Sequence, residues 1–372
     1  MQHKGPVSVL IAPLDWGLGH ATRCIPIIKE LVRQGARISI AASGPQKSLL
    51  EIEFPGLEFF DLPGYGIRYQ RGIFLKWGLL FRTPAILKRI KRENQWLAGI
   101  LKTQTIDAVI SDNRYGIYNP DLYCVFLTHQ LSVRSGLGSL FDRLLLIRNY
   151  AYIRKFSACW VPDWPGGISL AGRLSHPPVK PPIPTLYTGI LSRIKPIHAE
   201  LKKNSLLILL SGPEPQRSDF EKIILSQLGN LTMKCTVVRG LPGSGQPIPS
   251  HREGMEIVNH LPSEELNALM CKSEIVITRS GYSTIMDLVQ LRKNAILVPT
   301  PGQTEQEYLG CHLHKMKWML TVPQKNFNLK KAIAAFQQSA WIQPDSPESA
   351  LGTAVADLLN NSTGFNIKHS AF

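Results

Sequence analysis

The sequence has no run of about 18 uninterrupted apolar residues, which leaves no candidate for a membrane-spanning helix. Its first apolar stretch, Val7–Ala12, is too short for a secretory core and reads as a strand. None of its six cysteines (Cys24, Cys124, Cys159, Cys235, Cys271 and Cys311) lies at CxxC spacing from another, so a zinc ribbon or a dithiol pair is not expected. Scattered thiols in a chain of this size fit reduced, mostly buried residues and a cytoplasmic setting. No RRM, KH, zinc-finger or helix-turn-helix signature occurs, and no nucleic-acid partner is expected. Acids are scarce: 27 Asp and Glu face 42 Lys and Arg, for a net charge of +15. The excess is uneven, at +11 over residues 1–190 and +4 over 191–372. The first half therefore meets an anionic surface or substrate more readily.

What is present is ordinary globular usage, 44% hydrophobic and 19% charged, over 372 residues. At about 150 residues per domain, that length suggests two domains. The first half alternates short apolar runs (VSVLIA, ARISIAA, DAVIS, CVFLT) with stretches of helical period such as Ala21–Gln34. After His176–Pro184, where five of nine residues are proline, the alternation restarts at Leu206–Ser211. The expected organisation is a Rossmann-like domain over 1–189, a linker over 190–203, a second such domain over 204–360 and a tail over 361–372. Each would be a doubly wound parallel sheet, with ligands in the cleft between them.

Two segments carry chemistry. In DWGLGHATR, Gly17 and Gly19 allow a tight turn and close backbone approach ahead of a helix N-terminus. Thr22 occupies the third glycine position of a dinucleotide fingerprint, and Ala42–Ser43 stand where an acid would hold the ribose, so a dinucleotide site is disfavoured. His20 tops this loop as a candidate general base. In the second segment, IVITRSGYSTIMDLVQLRKNAILVPTPGQTEQE, Ser280, Gly281, Ser283 and Thr284 offer hydroxyls and amides to a diphosphate. Asp287, one turn into that helix, suits a ribose diol. Gln303, Thr304, Glu305, Gln306 and Glu307 suit sugar hydroxyls. Backbone groups of His260 and Leu261, in NHLP, suit a pyrimidine edge.

This second segment resembles the nucleotide-sugar half of GT-B glycosyltransferases. It is most similar to family 28, the group of the peptidoglycan N-acetylglucosaminyltransferase and the plant galactolipid synthases. The matching positions are Ser280, Gly281, Thr284, Asp287 (usually Glu in the family), Pro299, Gln306 and Glu307 (Gln in the bacterial enzyme). DWGLGH resembles the family's glycine-rich loop ending in His, which implies His20 and adds Asp15 as an acceptor-side candidate. LTHQLS resembles the acceptor-side HEQN segment through His129 and Gln130. TGILSR resembles the interdomain TGNPVR, implying Arg193 as a phosphate contact, and SGP brings Ser211 and Gly212 to the donor site. The resemblance implies inverting transfer from a UDP-sugar to an acceptor hydroxyl, with no cofactor. No Asp-x-Asp pair is present to clamp a metal, so helix dipole, amides and Arg193 or Arg279 would hold the leaving UDP. His20 or, failing it, Asp112 in SDNRYG would take the proton. A UDP-sugar 2-epimerase and a non-catalytic sugar-nucleotide or anionic-lipid binder share enough of these features to stand as alternatives.

Residues 64–98 set eight basic residues against one acid, Glu93, with Tyr65, Tyr69, Phe74, Trp77, Leu79, Leu80, Phe81 and Trp96 between them. RLLLIRNYAYIRK at 143–155 is similar in character. Both suit the interface of an anionic bilayer. The expected acceptor is accordingly lipid-linked or a membrane-presented glycan, with the protein peripheral on the inner face of the cell membrane.

Overall fold

The computed structural model describes residues 5–64, 83–133, 138–212, 214–229, 231–242 and 253–369. Residues 65–82, with most of the aromatic positions singled out above, lie outside them. Two parallel sheets organise the chain, as the strand–helix alternation predicts. The first comprises β1 (Ser8–Pro13), β2 (Arg37–Ala42), β3 (Glu58–Asp61), β4 (Ala108–Asp112), β5 (Tyr123–Leu127), β6 (Ala158–Val161) and β7 (Thr185–Tyr187), in the order β3-β2-β1-β4-β5-β6-β7. Crossovers through α1 (Leu18–Arg33), α2 (Gly44–Glu53), α3 (Thr83–Ile100) and α4 (Ser139–Ile153) link several of these strands. Every residue of β1 is buried, because helices cover both faces of the sheet.

The second sheet comprises β8 (Lys202–Leu209), β9 (Lys234–Val238), β10 (Met255–Val258), β11 (Ser273–Thr278), β12 (Ile296–Leu297) and β13 (Leu320–Thr321), in the order β10-β9-β8-β11-β12-β13. Its helices are α5 (Gln216–Leu228), α6 (Ser263–Lys272), α7 (Tyr282–Gln290), α8 (Thr304–Lys315) and α9 (Leu329–Gln337). Winding reverses between β1 and β4 in the first sheet and between β8 and β11 in the second. Crevices at strand carboxyl ends open at such reversals. The chain after these four strands carries DWGLGH, the NRYG that follows Ser111 and Asp112 of β4, Ser211 with Gly212, and RSGYST.

The link between the sheets is part of the core. Ile190, Leu191 and Ile194 are buried in one cluster with Ile28 of α1 and Met286 and Val289 of α7. β8 also begins at Lys202, two residues inside the expected linker. The expected boundary at residue 360 falls inside a helix. Residues 351–369 form one helix, α10 (Leu351–His369), which returns to pack on α1 of the first unit. Gln34 Nε2 donates to Gly352 O at 2.9 Å, and Ala350 N to Thr188 O at 3.1 Å. Buried Ala354, Val355 and Leu358 supply the helical apolar face that anchors it.

Among the described residues no helix is long and apolar enough to cross a membrane.

Candidate active site

The register of β4 on β1 sets Asp112 beside Pro13, at the carboxyl ends of both strands. The chain leaves Asp112 through Asn113 in the left-handed region, φ 55°, a conformation that costs energy for any residue but glycine. From β1 it enters α1 through Gly17, φ 84°, which a side chain would strain. His20 and Arg23, three residues apart, share the face of α1 that looks at Asp112. His20 Nδ1 is 3.0 Å from Asp112 Oδ2. Arg23 donates through Nε to Oδ2 at 2.9 Å and through Nη2 to Oδ1. The two sequence candidates for the base thus form one unit. Asp112 is fully buried, while His20 keeps 15% exposure.

The electrostatics assign different roles. Burial alone would push the Asp112 carboxyl up, but Arg23 and then His20 outweigh it and hold it down at about 2. Burial lowers the His20 pKa against the opposing pull of Asp112, so the ring is neutral near pH 7. Arg23 Nη2 also lies 2.8 Å from His20 Nδ1, so this nitrogen sits between a guanidinium donor and the Asp112 carboxylate; in the tautomer that carries its proton on Nδ1 towards Asp112, Nε2 keeps a free lone pair.

The same guanidinium continues the chain of contacts across the cleft. Arg23 Nη1 lies 3.0 Å from His129 Nδ1, and His129 Nε2 lies 2.8 Å from Glu305 Oε1 on α8. Because arginine only donates, His129 Nδ1 accepts and its Nε2–H donates to Glu305. The His129 ring also stacks on Tyr282 at 4.0 Å, and Tyr282 donates to Pro162 O at 2.7 Å. Burial would raise the Glu305 carboxyl, but His129, His20 and Arg23 pull it below its usual range. Sequence reasoning missed Arg23, although its spacing from His20 was a usable signal. It saw Glu305 only as a reader of sugar hydroxyls.

On the donor side, the N-termini of α1 and α7 meet. Ser283 Oγ donates to Gly19 O at 2.7 Å, and a Cβ on Gly19 would sit 2.9 Å from that hydroxyl. Neither helix has a side-chain cap or an acid in its first turn. Two positive dipole ends thus converge where an anion would be favoured. Gly281 and Thr284 are partly exposed beside Ser283. Asp287, one turn further, is nearly buried and accepts from Ser192 Oγ at 2.6 Å. Burial pushes its carboxyl up to about 6, against the pull of Arg193 and Ser192. Arg193 is partly exposed, with Nη1 at 3.5 Å from Ser263 Oγ. Half-buried His260 and Leu261 precede α6, and Ser211 and exposed Gly212 follow β8. Burial lowers the His260 pKa.

Two donor-side expectations are corrected. Arg279 is fully buried, donates to the carbonyls of Val298, Pro299 and Gln216 at 3.0–3.3 Å, and lies over the Phe220 ring. It braces the loop after β12 and the start of α5, with no solvent-exposed surface to offer a phosphate. Ser280 is likewise buried, its hydroxyl given to Gln306 O at 2.8 Å. In the polar loop, Gln306 Oε1 accepts from Thr300 N and exposed Glu307 Oε1 from Gly302 N, each at 2.9 Å, and Gln303 precedes α8 half-buried. On the acceptor side, Asp15 lies 3.6 Å from buried Arg114, which Glu93 also pairs. Gln130, next to His129, is half-buried.

Residues 246–358 match the glycosyltransferase family 28 C-terminal domain. Over 319 residues the chain is 23% identical to an uncharacterised glycosyltransferase of Methanosarcina acetivorans, covering 81% of this chain and 82% of that one. Its fold is similar to the glycotransferase of kitacinnamycin, with a TM-score of 0.63 at 12% identity over 98% of this chain and 96% of that one. It is also similar to spinosyn rhamnosyltransferase SpnG complexed with thymidine diphosphate, with a TM-score of 0.55 at 14% identity over 96% of both chains. The chain is a GT-B glycosyltransferase, similar to family 28.

Proposed function

We propose that this glycosyltransferase moves a hexose or N-acetylhexosamine from a UDP-sugar to an acceptor hydroxyl with inversion. The observation that carries the reading is the His20–Asp112 pair beside two converging, uncapped helix N-termini. The acceptor hydroxyl gives its proton to His20 Nε2 as its oxygen bonds to the anomeric carbon. The bond from that carbon to the diphosphate oxygen breaks on the opposite face. Asp112 stabilises the imidazolium that forms. The departing diphosphate gains negative charge, which the amides at the start of α7 and Arg193 would meet without a metal ion. A pyrimidine nucleoside diphosphate in a protein of similar fold supports a donor of that class. The basic first half supports an acceptor presented at an anionic membrane. Incubation with a panel of UDP- and GDP-sugars, with and without lipid-linked acceptors, tests the reading. Transfer from UDP-sugars is expected. Isomerisation of UDP-GlcNAc without acceptor would replace it with the epimerase.

Asp287 gives a second test. Its folded carboxyl titrates near 6, well above the 3.8 of an unperturbed side chain. Stability from this group is therefore intact below pH 4 and falls by roughly 3 kcal/mol as pH rises through 6, because folding then confines a buried charge. Asp287→Asn should raise the unfolding midpoint at pH 8 but not at pH 4. It should also weaken UDP binding by about 1–3 kcal/mol, through unpaired ribose hydroxyls. Calorimetry giving the wild-type affinity would remove Asp287 from the nucleotide site.

A further inference from the structure

α4 has an unusual outer face. Leu140, Leu144 and Ile147 recur at helical spacing and are 69%, 56% and 59% exposed. Phe141 is exposed beside them, and Ala151 extends the stripe. Arg143 and Arg154 border the stripe on one side and Arg148 on the other, and all three are exposed, whereas the Lys155 ammonium lies over the Tyr118 and Tyr152 rings. The helix's one acid, Asp142, turns inward and is half-buried. The inner face is accounted for: Asn149 donates to Gln130 O at 3.2 Å and Leu131 O at 2.9 Å, Tyr150 donates to Val179 O, and Ile153 is buried. An apolar stripe bordered by cations whose stems can lie along it matches an interfacial helix.

We propose that the outer face of α4 is the membrane-docking surface of this protein, and that its partner is an anionic lipid bilayer. This rests on the membrane-presented acceptor of the preceding reading and assigns that contact to one element. Charge selects the occupant. A second copy packed face to face would bring the arginine borders of two helices together, with no outward acid on α4 to offset them. A bilayer supplies phosphates at the depth of those borders and acyl chains at the depth of the stripe. Through Asn149 the helix is tied to Gln130, the neighbour of His129, so docking would bring the acceptor side of the cleft towards the lipid surface.

The test is co-sedimentation of the full chain with vesicles of phosphatidylglycerol and phosphatidylcholine. Wild type should pellet with these and not with phosphatidylcholine alone. Leu144→Glu combined with Ile147→Glu should lower partitioning by about tenfold or more. Ile342→Glu, at an exposed apolar position on another segment, should not. Both altered side chains of the double variant are exposed, so its unfolding midpoint should match wild type. Wild type left in the supernatant would overturn the proposal, as would a double variant that pellets normally. So would light scattering that finds a wild-type dimer dissolved by the same two changes. Sugar transfer to a water-soluble acceptor is measured in parallel. Vesicle binding lost by the double variant in a protein without transferase activity would sink the functional reading and leave the docking surface standing.

Discussion

His20→Ala should lower kcat by about 100-fold or more and leave the UDP dissociation constant within about twofold. The reason is position. Asp112 is sealed beneath His20 and Arg23 and cannot reach an acceptor, whereas the imidazole holds Asp112 through one nitrogen and keeps the other free. The pH profile carries a second signature. Burial lowers the His20 pKa, so the acid limb of kcat/KM should fall below the usual histidine value of 6.5. Asp112→Asn removes the charge that stabilises imidazolium, and should move that limb further down as the rate drops. A His20→Ala enzyme with wild-type turnover would end the role given to this residue.

Arg23→Met should destabilise the fold by about 3–5 kcal/mol, because it leaves Asp112 as a buried carboxylate without its cation and with only the His20 ring beside it. Asp112 titrates near 2 in the folded protein, against 3.8 when unperturbed. Its contribution is therefore present above pH 4 and lost as pH falls towards 2. Without Arg23, burial would raise the carboxyl, and acid-induced loss should begin at higher pH. Urea titrations at several pH values measure both effects. Removing the cation that also lowers the His20 pKa should shift the acid limb of any residual activity upward. Arg23→Met combined with Asp112→Leu should recover part of the stability and none of the activity. Single-variant unfolding at the wild-type midpoint would mean the pair is not the buried network described.

Much of this architecture was written locally. Strand runs such as VSVLIA, the helical period after Gly19 and the proline-rich stretch at 176–184 all act on near neighbours in the chain. Their consequence, two parallel sheets with ligand loops at the strand ends, follows from backbone geometry and apolar patterning alone. The glycine turn before His20 was legible for the same reason, since a positive φ at Gly17 is a demand on one residue.

The site was legible in its residue types and not in its pairings. His20 and Asp112 are 92 positions apart, and His129 and Glu305 are 176 apart. No local pattern distinguishes partners from rivals at such separations. Arg279 and Arg193 looked equivalent as phosphate contacts, yet three carbonyls from two segments enclose Arg279, while Arg193 stays partly exposed. The last helix runs from residues expected in the second domain into those expected as a tail, because its apolar face at Ala354, Val355 and Leu358 found α1 of the first unit. Sequence alone therefore determined where strands end, where the backbone can turn and which groups gather near the cleft. Tertiary structure decided which charges are buried and what neutralises them. The physical reason is that solvation and Coulomb energy depend on distance in space, which chain order does not specify.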